Sequence, residues 1–98
     1  MWVVDITDET NPVPFSNFQI EGLDGSHTPN QTGCHQPVEN VRGNQIPVAW
    51  FANGLRIIDI SDPFHVKEVA SYMPDLPQGS TRVSSNDVFE DDRGLIYL

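Results

Sequence analysis

The sequence contains three histidines and one cysteine, the side chains best suited to ligating a metal or relaying a proton at neutral pH. Two are adjacent, in Gly33-Cys34-His35-Gln36-Pro37-Val38. His35 is a candidate metal ligand or general base. The plainer reading is a loop histidine bonded to backbone. His27, in Asp24-Gly25-Ser26-His27-Thr28-Pro29, lies eight residues earlier in the same polar segment and is the second metal candidate. The cofactor that such a pair admits is a divalent metal. Neighbours in an extended segment point to opposite faces, so Cys34 reads as a small buried residue rather than a co-ligand of His35. His65 follows the turn residues Asp62-Pro63-Phe64 and reads as solvent-facing.

The remaining polar clusters carry less. Asp8-Glu9, Asp24 and Asp91-Asp92 do not fit the ligand spacing of a calcium loop. Asn30-Gln31-Thr32 is a formal glycosylation acceptor. No nucleophile elbow, phosphate-binding glycine loop or paired-carboxylate arrangement is present, so no catalytic residue is assigned. Whether the protein is an enzyme stays open at this point.

The elements that must position these residues are short strands. Trp2-Val3-Val4-Asp5-Ile6 reads as a strand ending in the turn signal Thr7 to Pro12, and Phe15 to Ile20 as a second. The polar stretch from Glu21 to Gln36 is a loop of unusual length. Val48-Ala49-Trp50-Phe51-Ala52 and Leu55 to Ile60 flank Asn53-Gly54, a two-residue type I′ hairpin signal. Val66 to Tyr72 is a further strand, with an irregularity expected at Lys67-Glu68. After a second loop, Pro74 to Ser85, Val88 to Glu90 and Leu95 to Leu98 flank the turn Asp91-Asp92-Arg93-Gly94. Trp50, Phe51, Tyr72 and Phe89 read as core between units.

A repeat organises these strands. Val3-Val4-Asp5-Ile6-Thr7-Asp8 recurs as Ile57-Ile58-Asp59-Ile60-Ser61-Asp62, 54 residues later. Val38-Glu39-Asn40-Val41-Arg42-Gly43 is echoed by Phe89-Glu90-Asp91-Asp92-Arg93-Gly94, 51 residues later. Two echoes at nearly one spacing imply a unit of roughly 50 residues, within the range of propeller blades. One unit contains four strands: near Pro37 to Val41, Val48 to Ala52, Leu55 to Ile60 and Val66 to Tyr72. The expected fold is therefore all-β, with antiparallel four-stranded blades of a β-propeller, incomplete in this chain. Residues 1–20 would end one blade, 21–36 form a long loop and 37–72 a complete blade. A loop would follow over 73–87, and 88–98 would start the next blade. In that arrangement His35, Asn86 and Asp87 stand at equivalent entries of successive units and are candidates for lining the channel.

Gly54-Leu55-Arg56-Ile57-Ile58-Asp59-Ile60-Ser61-Asp62-Pro63, with Val66, Val69 and Tyr72, resembles the LVIVD repeat of a family of bacterial and archaeal β-propellers. The first copy, Trp2 to Phe18, resembles its later half but carries Glu9-Thr10 before Asn11-Pro12. The resemblance implies the propeller fold, and the repeat together with the absence of a catalytic signature leads to the expectation of a binding or scaffolding module for a protein or small-molecule ligand. The resemblance also touches selenium-binding-protein-like propellers, which implies the alternative of a metal-dependent enzyme with histidines at the channel mouth. No motif of those proteins maps here residue by residue. One complete blade between two partial ones, where a propeller typically needs four to eight, leads us to expect further blades from a longer chain, with an N-terminus other than Met1.

Composition narrows the partners. The net charge is −9, from 14 acidic and 5 basic residues, a field that repels nucleic-acid phosphates and anionic lipid. Nucleic acid is therefore not an expected partner. No apolar run has the length of a signal peptide or of a membrane span, and the compartment stays open. A single cysteine precludes an internal disulfide.

Overall fold

The computed structural model describes residues 1–21 and 33–98; His27, Asp24 and Asn30-Gln31-Thr32 lie outside them. The described residues form eight strands and no helix, so none is long and apolar enough to cross a membrane. Strands β1 (Trp2–Asp5) and β2 (Val13–Asn17) pair antiparallel. Strands β3 (Gln36–Pro37), β4 (Gln45–Ala49), β5 (Leu55–Asp59) and β6 (Lys67–Tyr72) form a four-stranded antiparallel meander in that order. Strands β7 (Phe89–Glu90) and β8 (Ile96–Tyr97) make a second two-stranded sheet.

The four-stranded sheet buries apolar residues on both faces because β4 and β5 carry hydrophobic residues at consecutive positions, Val48-Ala49 and Ile57-Ile58. One face gathers Val48, Trp50 and Ile58 with Ile20. Met1, Phe18 and Cys34 pack against that cluster. The other face gathers Ala49 and Leu55 with Val38 and Val88. Each face is thus closed in part by residues from a neighbouring unit. Val48, Ala49, Trp50 and Ile58 are fully buried.

The repeat read from the sequence is a repeat of geometry. Asp5 Oδ1 accepts the Thr7 amide at 2.8 Å, and Asp59 Oδ1 accepts the Ser61 amide at 2.8 Å. Asp8 Oδ1 accepts the Thr10 amide at 3.0 Å, and Asp62 Oδ1 accepts the Phe64 amide at 3.0 Å. Both aspartates of each copy therefore build the turn through side-chain-to-backbone bonds two residues on. A bulge also recurs. The register of β1 with β2 slips between Val3 and Val4, leaving Phe15 unpaired. The register of β5 with β6 slips between Ile57 and Ile58, leaving Val69 unpaired. Phe15 and Val69 are again 54 residues apart. The irregularity expected at Lys67-Glu68 thus falls at Val69.

Three strand boundaries differ from the sequence reading. Strand β2 runs over Val13–Asn17 rather than Phe15 to Ile20, and Phe18 extends its register by exchanging backbone bonds with Met1 at 2.8 and 2.9 Å. Strand β3 stops at Pro37 rather than continuing to Val41. Pro37 and Pro47 both lack an amide donor, and the pairing dwindles to Val38 N–H donating to Pro47 O at 2.9 Å. Strand β4 occupies Gln45–Ala49 instead of Val48 to Ala52, and the turn is longer than Asn53-Gly54 alone. Ala49 pairs with Leu55, Trp50 N–H donates to Gly54 O at 2.8 Å, and the residues with positive φ are Phe51 and Gly54. Phe51 is drawn out of the hairpin by a bridge to Ser85, with amide-to-carbonyl bonds of 3.0 and 2.9 Å in the two directions. Tyr72 and Phe89 are 60% and 59% exposed, so of the four aromatics read as core only Trp50 is fully buried. The turn before β8 is as read: Asp91 N–H donates to Leu95 O at 3.0 Å and Gly94 has φ 77°.

Two measurements check these turns. Gly54 has φ 68°, and a Cβ there would stand 2.4 Å from Tyr72 O, whereas Gly94 has open space around it. Gly54→Ala is expected to cost about 1–2 kcal/mol for the backbone conformation plus the displacement of β6, and Gly94→Ala the first contribution alone. Denaturant titration of both variants should give that order. The Thr7 hydroxyl and amide hold Asp5 below the ordinary carboxylate range, and the Ser61 amide does the same for Asp59. A carboxylate with a depressed folded pKa stabilises the fold above about pH 4 and loses that contribution as the pH falls through its folded value. The melting temperature should therefore fall on acidification below about pH 4, and Asp5→Asn with Asp59→Asn should flatten that acid limb.

Candidate channel-mouth site

His35 stands at the entry to β3. Its amide donates to Ala49 O at 3.0 Å, which fixes the start of the ladder and sends neighbouring side chains to opposite sides. Cys34 turns inward against the Ile20, Val48, Trp50 and Ile58 cluster. Burial pushes its thiol up, more than the nearby N-terminal ammonium lowers it, so thiolate is disfavoured. His35 turns outward and is exposed. Its ring lies against Phe51, with centroids 4.6 Å apart and planes at 60°.

The Nδ1 atom of His35 is hydrogen-bonded to the backbone carbonyl of Asn86. A carbonyl only accepts, so Nδ1 carries the proton and Nε2 of the neutral ring is left as an acceptor. His35 and Asn86 are 51 residues apart, the spacing of the second echo, so equivalent entries of successive units touch. Around them the Asn86 side-chain oxygen lies 3.2 Å from Ser84 Oγ, and Asp87 Oδ1 accepts the Val88 amide at 2.8 Å. The candidates His35, Asn86 and Asp87 are thus neighbours, and Asp87 is committed to its own chain turn. Among the described residues no three His, Cys, Asp or Glu side chains are grouped to hold a metal. The pairing of His35 with His27 lies outside the described residues.

Other contacts between units were not foreseen. The Phe15 and Phe64 rings stack at 4.5 Å, and Ser16 Oγ donates to Pro63 O at 2.6 Å. Arg42 pairs with Asp92 at 2.6 Å, 50 residues away. The second echo held a signal for this last pair, because it sets Asp92-Arg93 beside Val41-Arg42. Within the four-stranded sheet, Arg56 reaches Glu68 at 3.2 Å and donates through Nε to Asn53 O at 2.9 Å. His65 is exposed, as read, and its Nδ1 lies 2.8 Å from Asp62 Oδ2.

Beside Asn86 a cleft of about 470 Å³ opens between the start of β5, the end of β6, the 74–86 segment and β8. Leu55, Tyr72, Asp75, Ser84, Asn86 and Ile96 are among its lining residues. It mixes aromatic and aliphatic surface with a few polar groups, the usual make-up of a ligand site.

Residues 40–74 match the model of the LVIVD repeat. The match covers β4, β5 and β6 and the turns carrying Asp59 and Asp62. No curated protein and no solved structure gives a match. The chain therefore carries an LVIVD repeat in an all-β, antiparallel, propeller-type architecture.

The burial of Cys34 has a direct readout. Its reaction with an aromatic disulfide reagent at neutral pH should be at least about tenfold slower in the folded chain than in denaturant. Labelling rates followed by absorbance check this.

Proposed function

We propose that this LVIVD-repeat chain belongs to a binding module, and that a ligand engages the cleft formed by Tyr72, Asp75, Ser84 and Asn86 rather than a catalytic histidine. The observation that carries the reading is the commitment of His35. Its Nδ1 holds the Asn86 carbonyl and its ring lies on Phe51, so the contacts it makes join two units, and its Nε2 acceptor has no group of three metal-ligating side chains gathered around it among the described residues. The cleft beside it has an exposed aromatic ring and hydrogen-bonding groups on one wall. Such a wall suits a small polar molecule or a peptide loop with one apolar group.

Elemental analysis of the purified chain together with His35→Ala tests the reading. The expected result is substoichiometric transition metal in both proteins. His35→Ala should lose about 1 kcal/mol of stability, the scale of one hydrogen bond. A stoichiometric metal that His35→Ala removes would overturn the binding reading and establish a metal centre at this position.

A further inference from the structure

Asn53-Gly54 is the only asparagine followed by glycine in the sequence. Asparagine is a thermolabile residue. Its characteristic reaction is intramolecular: the amide nitrogen of the next residue attacks the side-chain carbonyl carbon, Cγ. A glycine in that next position has no Cβ to obstruct the attack. The attacking species is the peptide nitrogen after it has lost its proton. Most of the charge of that anion sits on the carbonyl oxygen of the same peptide. In an unfolded chain only water stabilises that oxygen.

The fold supplies a better partner. Arg56 Nε donates to Asn53 O at 2.9 Å, and that oxygen belongs to the peptide whose nitrogen is that of Gly54. A guanidinium donor so placed stabilises the developing charge as an oxyanion hole does. The Arg56 side chain is 14% exposed and is held by Glu68 at 3.2 Å, so the donor is fixed and little screened by water. The bond that opposes the reaction is weak. Gly54 N–H donates to Phe51 O at 3.3 Å, longer than an ordinary N–H···O bond. The leaving group, Asn53 Nδ2, is buried with no hydrogen-bond partner among the described residues. An unpaired buried donor costs the folded state free energy that its expulsion restores. Asn53 as a residue is half-buried, which leaves water a path to the turn.

We propose that Asn53 is a site of self-catalysed deamidation, with Arg56 stabilising the anion from which the reaction proceeds. Hydroxide from solvent takes the Gly54 amide proton. The bond from Gly54 N to Asn53 Cγ forms, the bond from Cγ to Nδ2 breaks, and the nitrogen leaves as ammonia with a proton from water. The product is a cyclic imide. Water then adds to the imide carbonyl that Arg56 polarises, formerly the main-chain carbonyl of Asn53, and breaks its bond to Gly54. The main chain now runs through the side-chain methylene as an isoaspartyl link, and the released carboxylate faces the guanidinium. The net reaction consumes a water and releases an ammonia. It lengthens by one atom the turn in which Phe51 exchanges backbone bonds with Ser85, so the modification acts on a tie between units.

Peptide mapping by mass spectrometry, after incubation in warm and mildly alkaline buffer, tests the proposal. Asn53 in the folded chain should convert several-fold faster than in the same chain in denaturant. Arg56→Met removes the donor and keeps an apolar stem. It should slow conversion several-fold in the folded chain and leave the rate in denaturant unchanged. Conversion of the folded parent chain at or below its rate in denaturant would overturn the proposal, and that comparison requires no variant to fold. An Arg56→Met chain with the parent's circular-dichroism spectrum and the parent's rate would overturn it as well. Neither measurement depends on a ligand or metal, so this proposal and the binding reading fail separately.

Discussion

Burial of the central sheet on both faces is the constraint from which the rest of the structure follows. Strands β4 and β5 and the residue that follows β4 present Val48, Trp50 and Ile58 to one side and Ala49 and Leu55 to the other, with exposures from zero to 8%. A two-faced apolar sheet cannot stand in water alone, since each uncovered side chain forgoes about 1.5–3 kcal/mol of transfer free energy. Neighbouring units must therefore lie on both sides. That need explains why Ile20 and Val88, distant in sequence, are buried at either face. It also explains why the polar contacts of long reach run between units: Ser16 to Pro63, His35 to Asn86 and Arg42 to Asp92. Hydrophobic stacking supplies the attraction, and these directional bonds fix the register in which the units stack.

Much of this was legible in the residues because local chemistry and repetition agree. The turn signals that follow β1 and β5 are built by aspartate side chains that accept the amide two residues on, at Asp5, Asp8, Asp59 and Asp62. Asp91 to Gly94 is legible for the same reason. What was not legible depends on contacts remote in sequence. Asn53-Gly54 has the composition of a two-residue hairpin, yet the backbone of Phe51 finds Ser85, and that bridge lengthens the turn and moves β4 three residues toward the N-terminus. The bulge at Val69 was equally hidden. A bulge is a matter of how two strands count against one another, and β6 alone does not reveal it.

The candidate site divides along the same line. Equal spacing brought His35 and Asn86 into correspondence from sequence alone, and the structure sets them in contact. Alternation along an extended segment sent Cys34 inward and His35 outward, as the strand geometry requires. The role of His35 was not legible, because it depends on which group meets Nδ1. A carbonyl at that atom makes the imidazole a tie between units. A carboxylate there would have raised its basicity and made it a stronger candidate base.

The polar ties at the unit entries have a consequence for how such a chain can vary. The bond from His35 uses a backbone carbonyl, and so do those of Phe51 with Ser85 and Ser16 with Pro63. A carbonyl acceptor is present whatever side chain occupies the position. The 74–86 segment can therefore change its residues, Asn86 included, without untying the units, provided its backbone path is kept. Tyr72, Asp75 and Ser84 line the cleft without serving as partners in those ties. The stacking is thus carried by backbone carbonyls, and the cleft-lining side chains of the same segments stand outside it, so they can vary on an unchanged frame.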